Sequence, residues 1–295
     1  MSKTAFLFSG QGAQFVGMGK DLYETSPKAK EIFDFADSLT DGRVTKFSFE
    51  GPEEELKLTL NTQPCMLTYE AALLALANEA GFFADMTAGF SLGEYGAMIC
   101  AGVLSFEDSL SLIVKRAEFM NAAATHHVGK MAAIIGGDLF ELIDTCKSIN
   151  GYVEPVNFNC PGQTVIAGDS DSVDQAIEVL NAHGFRCVPL SVNGAFHSRH
   201  MHDAGEQLKN VVEGMDFSIP AIPIISNVTA MPETDFKRIA PLQMCSPVYW
   251  EKTIRYMLEN GVTKFVEVGP GNVLTGFMKK IDRSIDCSHI TKLLV

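Results

Sequence analysis

The sequence Gly-Phe-Ser-Leu-Gly at residues 89–93 limits the possible folds of this chain more than any other feature. An apolar segment, Met86 to Ala88, leads into it, and a helix-compatible run from Tyr95 to Ala101 follows. Gly-x-Ser-x-Gly between a strand and a helix is typical of a nucleophile elbow, a tight turn that presents one serine hydroxyl at the edge of a sheet. The two glycines allow the turn, and the Leu92 N–H can face an oxyanion formed beside Ser91. We therefore predict a reactive serine, with an ordinary glycine-rich turn as the alternative.

A reactive serine needs a general base, and His197 is the best placed of the seven histidines. It stands in Gly-Ala-Phe-His-Ser, residues 194–198, shortly after the apolar run Val188–Val192. A loop that follows a strand is a common position for catalytic side chains. On the pattern alone, a histidine that is only a hydrogen-bonded part of the fold is the alternative.

Arg116 lies in a predicted amphipathic helix that begins after Ser105, whose spacing to Asp108 fits a capping box. The apolar side of this helix is formed by Phe106, Leu110, Ile113, Val114 and Ala117. Arg116 is next to that side. From the pattern alone, a solvated arginine on the protein surface is the simplest interpretation.

Six motifs, taken together, are more specific than any one of them. In chain order they are FSGQGAQ at 8–14, GFSLGE at 89–94, KRAEFM at 115–120, NFN at 157–159, FHS at 196–198 and EVGPG at 267–271. With these motifs the sequence resembles the malonyl-CoA:acyl-carrier-protein transacylases, and the similarity covers essentially the whole chain. It departs from the commonest family pattern at Phe90, where many members carry histidine.

The resemblance implies a role for each site residue. Ser91 would attack the thioester of malonyl-CoA, His197 would accept its proton, and a carrier-protein thiol would then take the acyl group. The oxyanion would be held by the backbone N–H groups of Gln11 and Leu92. Arg116 would bind the free carboxylate of the malonyl group and so select malonyl over acetyl.

Three further positions follow from the same resemblance. The backbone carbonyl of Gln243 would orient the histidine ring in place of a triad aspartate, and we expect its side chain to matter less. Asn159 is expected to line the site. Phe196 would leave little room for an α-methyl group, which favours malonyl over methylmalonyl.

The order of strands and helices between residues 127 and 194 predicts a ferredoxin-like small subdomain. The pattern is βαββαβ: strand 131–135, helix 139–149, strands 152–157 and 164–167, helix 173–183 and strand 187–192. Residues 1–126 and 195–295 are predicted to form a larger, hydrolase-like α/β subdomain with a mostly parallel sheet. Its predicted strands are 4–8, 86–89, 222–226 and 264–268. We expect the active site in the cleft between the two subdomains.

The net charge limits the classes of partner that the protein is expected to bind. The net charge of −13 argues against nucleic acid, which normally requires a basic face. Carrier proteins are usually acidic as well, so docking would need a local basic patch. The candidates are Lys279, Lys280, Arg283 and Arg199, although scattered solvated cations fit the pattern equally well.

No apolar stretch reaches membrane-spanning length and the N-terminus does not resemble a signal peptide, so we predict a cytoplasmic protein without membrane association. The seven cysteines show no zinc-ligand spacing, and we expect neither a metal nor another cofactor. Among the thiols, Cys160 is of most interest because it is adjacent to Asn159. We expect a monomer.

Three alternatives stay open at this point. The acceptor could belong to fatty-acid synthesis, which we favour, or to a polyketide pathway served by a trans-acting malonyltransferase. A serine hydrolase or thioesterase would also use an elbow, but no acid between Ser91 and His197 stands out as a third triad member. A carrier-binding scaffold with a decayed site would be expected to lack Ser91, His197 or Arg116, and all three are present.

Overall fold

The protein is described by a computed structural model that covers residues 2–294. Its strands are β1 (Lys3–Phe8), β2 (Met86–Gly89), β3 (Gly129–Ile135), β4 (Val153–Cys160), β5 (Gln163–Asp169), β6 (Arg186–Pro189), β7 (Ile224–Ile225), β8 (Pro232–Glu233), β9 (Val262–Val268) and β10 (Asp286–His289). Its α-helices are α1 (Lys20–Thr25), α2 (Pro27–Thr40), α3 (Arg43–Thr45), α4 (Glu53–Leu56), α5 (Thr59–Glu79), α6 (Gly93–Cys100), α7 (Phe106–His126), α8 (Leu139–Ser148), α9 (Ser170–Ala182), α10 (His202–Glu213), α11 (Phe236–Gln243), α12 (Trp250–Glu259) and α13 (Val273–Ile281).

The large sheet has the strand order β10-β9-β1-β2-β7-β8 and is parallel except for β8. From Ala5 to Phe8 the central strand β1 is apolar and buried on both faces, as expected for a strand covered by helices on either side. Phe6 and Phe8 pack into one core cluster, whereas Ala5 and Leu7 pack into another. This alternation fixes the register of β1, and the mostly parallel sheet predicted from the sequence is confirmed.

The small sheet has the order β4-β5-β3-β6 and is antiparallel. Helices α8 and α9 contribute Leu142 and Val173 to a separate core with Ala132 and Ile166. The βαββαβ order of a ferredoxin-like unit is therefore confirmed. The exact limits of the two subdomains, 127–194 and the flanking segments, stay predictions.

Several predicted boundaries differ from the observed ones. The second strand of the small sheet extends to Cys160, because residues beyond 157 pair with β5 across the 161–162 turn. The last strand is Arg186–Pro189 rather than 187–192, and in the large sheet β7 is confined to Ile224–Ile225. Short polar β10 was not predicted, since it carries no apolar alternation and pairs only with β9.

The helix that carries Arg116 begins as predicted. The Ser105 side chain accepts a hydrogen bond from the Asp108 N–H at 3.0 Å and caps α7. Helix α7 then runs directly into β3, so it connects the large sheet to the small one. A second connection is backbone pairing, in which the Phe158 N–H donates to the Val248 carbonyl at 2.9 Å.

Within the part of the chain that the structure describes, none of the helices combines the length and the apolar character needed to cross a membrane.

Candidate active site

Residues 89–93 form a strained turn between β2 and α6. Ser91 has φ +52°, which is rare for a residue other than glycine. A Cβ at position 89 would lie 1.8 Å from the carbonyl carbon of Gly93, and one at position 93 would lie 2.3 Å from the Phe8 carbonyl oxygen. Both positions therefore require glycine, and the turn holds the serine hydroxyl at the carboxyl end of the sheet.

The Ser91 hydroxyl contacts His197. Ser91 Oγ lies 2.6 Å from His197 Nε2, and His197 Nδ1 lies 3.0 Å from the carbonyl oxygen of Gln243. A carbonyl only accepts, so Nδ1 carries the proton and Nε2 is free to accept from the serine. Burial, and secondly the positive charge of Arg116, lower the pKa of His197 to about 4. The imidazole is therefore neutral near pH 7, as a general base must be.

The two predicted oxyanion-hole residues border the site. Gln11 and Leu92 both line the cavity beside Ser91. Among residues 2–294, neither N–H donates a hydrogen bond to another protein group. Buried or half-buried donors of this kind are normally paired, so both are available to an oxygen of a ligand.

Arg116 is almost completely buried, with 1 % of its surface exposed, so the interpretation as a solvated surface residue is wrong. Its Nη1 donates to Gln63 Oε1 at 2.9 Å, and its Nη2 donates to Gln243 Oε1 at 3.0 Å. The buried Nε–H has no partner among the described residues. The guanidinium is thus held by neutral amides, although a buried cation normally needs an anionic partner.

The side chain of Gln243 contributes more than the sequence led us to expect. It is completely buried, and its Nε2 donates to the Ser91 carbonyl at 2.8 Å and to Glu94 Oε2 at 2.7 Å. Together with the bond to Arg116, the amide therefore contacts three different segments. The side chain is therefore part of the hydrogen-bond network of the site, and its weight relative to the backbone carbonyl stays a prediction.

Asn227 and Glu94 were not predicted from the sequence. Asn227 Oδ1 accepts from the Ser91 N–H at 2.7 Å, and its Nδ2 donates to the Gly89 carbonyl at 2.6 Å. The backbone N–H of Asn227 in turn donates to Glu94 Oε1 at 2.8 Å. One sequence offers no local signal for these contacts, because the partners are more than 130 residues apart along the chain.

These groups border a cavity of about 220 Å³ between the two sheets. Its lining includes Gly10–Ala13, Phe90–Leu92, Arg116, Met120, Met131, Ala133, Asn157, Asn159, Gln163, Val165, Phe196, His197, Val273 and Phe277. Asn159 is 4 % exposed and its Oδ1 has no partner within residues 2–294. Asn159 and Phe196 both belong to this lining, and their roles stay predictions. Cys160 is not activated, because burial raises the pKa of its thiol to about 11.

Two of the four predicted basic residues, Lys280 and Arg199, have described side-chain contacts. Lys280 Nζ donates to Gln163 Oε1 at 2.8 Å, which brings it to a residue that lines the cavity. Arg199 instead lies over the ring of Tyr152, 3.6 Å from its centre. A docking patch that includes Lys279 and Arg283 stays a prediction.

The chain belongs to the acyl transferase domain family, whose model matches residues 5–291. Within that family it is similar to malonyl CoA-acyl carrier protein transacylases. The one from Bacillus subtilis is 45% identical over 292 residues, which are 97% of this chain and 92% of the relative. The crystal structure of MCAT from Streptococcus pneumoniae has a TM-score of 0.93 and 37% identity and covers 99% of both chains. A malonyl-transacylase in complex with its type II PKS acyl-carrier protein has a TM-score of 0.93 and 36% identity, covering 98% of this chain and 95% of that one.

Proposed function

We propose that this protein transfers a malonyl group from malonyl-CoA to the phosphopantetheine thiol of an acyl carrier protein, by way of an ester on Ser91. The observation that carries this proposal is Arg116, a buried guanidinium that borders the cavity and, among the described residues, donates hydrogen bonds only to neutral amides. A carboxylate at the far end of the acyl group would neutralise it. The similarity to transacylases with that name supports the same substrate.

The first half-reaction forms the ester. His197 Nε2 accepts the Ser91 proton while Oγ attacks the thioester carbonyl, and the resulting oxyanion accepts hydrogen bonds from the N–H groups of Gln11 and Leu92. Collapse of the tetrahedral intermediate breaks the carbon–sulfur bond, and His197 returns the proton to the departing CoA thiolate. Each oxyanion donor of this kind contributes about 3 kcal/mol to transition-state stabilisation.

The second half-reaction reverses these roles. His197 accepts the proton of the phosphopantetheine thiol, the sulfur attacks the ester carbonyl, and the proton passes to Ser91 Oγ as the ester bond breaks. CoA must leave before the carrier arm enters, because both occupy the same cavity of about 220 Å³. The kinetics are therefore ping-pong.

Two residues would select the acyl group. Arg116 favours malonyl over acetyl, because only malonyl carries a second charged group for the planar guanidinium to bind. Phe196, next to His197, would crowd an α-methyl group. A contact of that size discriminates by about 1–3 kcal/mol, so exclusion of methylmalonyl is expected to be moderate.

For the pathway, we propose fatty-acid synthesis. A polyketide carrier is the second candidate, favoured by the similar malonyl-transacylase whose structure includes a type II PKS carrier protein. A serine hydrolase would use water in the second step and would have no use for the charge of Arg116. A monomer in the cytoplasm, without nucleic acid, stays a prediction.

The experiment is intact-mass measurement after brief exposure to malonyl-CoA, with Ser91→Ala as the control. We expect a malonyl adduct on the parent protein alone, stable until a holo carrier protein is added. Fatty-acid and polyketide carrier proteins are then compared as acceptors. Rapid loss of the adduct to water without any carrier would favour the hydrolase and overturn the proposal.

A further inference from the structure

Glu94 is a buried acid on the first turn of α6 that the catalytic steps above do not use. Only 1 % of its surface is exposed, and among the described residues its carboxylate forms no hydrogen bond with Ser91, His197 or Arg116. We propose that Glu94 is a positioning residue. Through Gln243 and Asn227 it keeps Ser91, His197 and Arg116 in their positions relative to one another. This inference rests on the proposed function, since it concerns the geometry of that reaction.

Both carboxylate oxygens of Glu94 accept hydrogen bonds from groups that hold the site. Oε1 accepts from the backbone N–H of Asn227 at 2.8 Å, and Oε2 accepts from Gln243 Nε2 at 2.7 Å. An acceptor is required at both positions, because both partners can only donate in this arrangement. A carboxylate meets that requirement, whereas an amide places an N–H against one of the two donors.

The orientation of the Gln243 amide depends on this acceptor. With Nε2 toward Glu94 and the Ser91 carbonyl, Oε1 faces Arg116 Nη2. The reverse orientation would place Nε2 against the guanidinium and Oε1 against two acceptors. Glu94 therefore fixes the amide so that its oxygen holds Arg116 in the cavity wall.

The same residue reaches Ser91 and His197 by separate routes. Asn227, anchored through its N–H on Glu94, closes the serine turn by accepting from the Ser91 N–H and donating to the Gly89 carbonyl. Gln243, anchored through its side chain, presents its own backbone carbonyl to His197 Nδ1. One carboxylate is thus linked by hydrogen bonds, through Asn227 and Gln243, to Ser91, His197 and Arg116.

Glu70 provides a matched control, because it is also a completely buried glutamate. Neither of its carboxylate oxygens has a hydrogen-bond partner among the described residues. The side chain lies against Gly96 and Gly269 and does not bond to Gln243 or Asn227. Burial raises the pKa of its carboxyl well above the ordinary value, which favours the neutral form. Glu70→Gln therefore changes a buried glutamate to an amide of the same shape without altering a hydrogen bond to the site.

The test compares Glu94→Gln, Glu94→Asp and Glu70→Gln in the initial rate of Ser91 acylation by malonyl-CoA and by acetyl-CoA. It is run at pH 8, above the pKa of about 7 that burial gives Glu94, so that the parent side chain is ionised. The readout is the ratio of the two kcat/KM values. A variant that only loses folded protein lowers both rates equally and leaves this ratio unchanged. The ratio therefore separates a change in the position of Arg116 from a loss of folded protein. A change in the position of Ser91 or His197 is read from the fall in both kcat/KM values per mole of folded protein.

For Glu94→Gln we expect the malonyl-to-acetyl ratio to fall about tenfold to a hundredfold, the loss expected when one hydrogen bond to a charged group is misplaced. Glu94→Asp keeps two acceptor oxygens and is expected to recover part of the ratio. Glu70→Gln should leave it unchanged. If the parent protein is malonylated at Ser91 and Glu94→Gln keeps its ratio, the inference is wrong while the proposed function stands; if the parent is not malonylated, the proposed function itself fails.

Discussion

Replacement of Arg116 by alanine is the most informative perturbation of substrate selection. The guanidinium is buried, its Nε–H is unpaired among the described residues, and its two Nη groups are held by Gln63 and Gln243. A planar fork in this position can form two charge-assisted hydrogen bonds to the carboxylate of a malonyl group. Removing it deletes both bonds and leaves two buried amide oxygens without donors.

The size of the effect follows from these contacts. A hydrogen bond to a charged group contributes about 1.5–3 kcal/mol, so two contribute about 3–6 kcal/mol. At about 1.4 kcal/mol per factor of ten, kcat/KM for malonyl-CoA should fall by about 10² to 10⁴. Acetyl-CoA has no second carboxylate, so its kcat/KM should change by less than about tenfold.

The assay is Ser91 acylation followed by stopped-flow release of CoA thiol, with both substrates and with Lys115→Ala as the control. Lys115 precedes Arg116 on α7 but is half exposed and paired with Glu118, so its loss removes a nearby positive charge without touching the cavity. Equal losses for malonyl-CoA and acetyl-CoA in Arg116→Ala would refute the assignment of Arg116 as the carboxylate-binding residue.

Three other predictions concern residues that support the active site without contacting substrate. Asn227→Ala should lower the rate of Ser91 acylation by malonyl-CoA and by acetyl-CoA alike, about tenfold to a hundredfold. The reason is that the substitution loosens the serine turn and leaves the carboxylate site in place. A change in rate confined to one of the two substrates would contradict this prediction. Gly93→Ala should lower the free energy of unfolding in denaturant by more than about 3 kcal/mol, since the new Cβ would lie 2.3 Å from the Phe8 carbonyl oxygen. A free energy of unfolding close to that of the parent would show that position 93 does not require glycine. Burial raises the pKa of Glu94 to about 7 from an ordinary 4.5, so its contribution to stability is complete below the lower value and is lost as pH rises through the higher one. The stability of Glu94→Gln relative to the parent should therefore rise by up to about 3 kcal/mol between about pH 5 and about pH 8, and a difference that does not vary with pH would refute the shift.

The sequence predicts the parts of the site that are local. The serine turn depends on glycines within two residues of Ser91, and the cap of α7 depends on Ser105 and Asp108, three residues apart. The alternation of small-subdomain strands and helices is likewise a short-range pattern. Each of these could be predicted because the chain carries both partners within a few positions.

The parts that could not be predicted depend on long-range contacts. Arg116 is buried because Gln63 on α5 and Gln243 on α11 pack against it and accept its hydrogen bonds. The sequence pattern around Arg116 indicates only that it lies at the edge of an apolar helix face. Asn227 and Glu94 are ordinary polar residues until folding brings β7 beside the serine turn. The short strand β10 is held by its pairing with β9 and has no apolar pattern of its own.

The central claim is that Ser91 carries a malonyl group between two thiols while Arg116 holds its carboxylate. The most direct measurement is peptide mapping by mass spectrometry of the protein quenched soon after mixing with an equimolar mixture of malonyl-CoA and acetyl-CoA. We predict a malonyl ester on the peptide that contains Ser91, in large excess over acetyl, and its disappearance when a holo carrier protein is added as malonyl-carrier forms. Equal labelling by the two substrates, or a label on any other residue, would contradict the account.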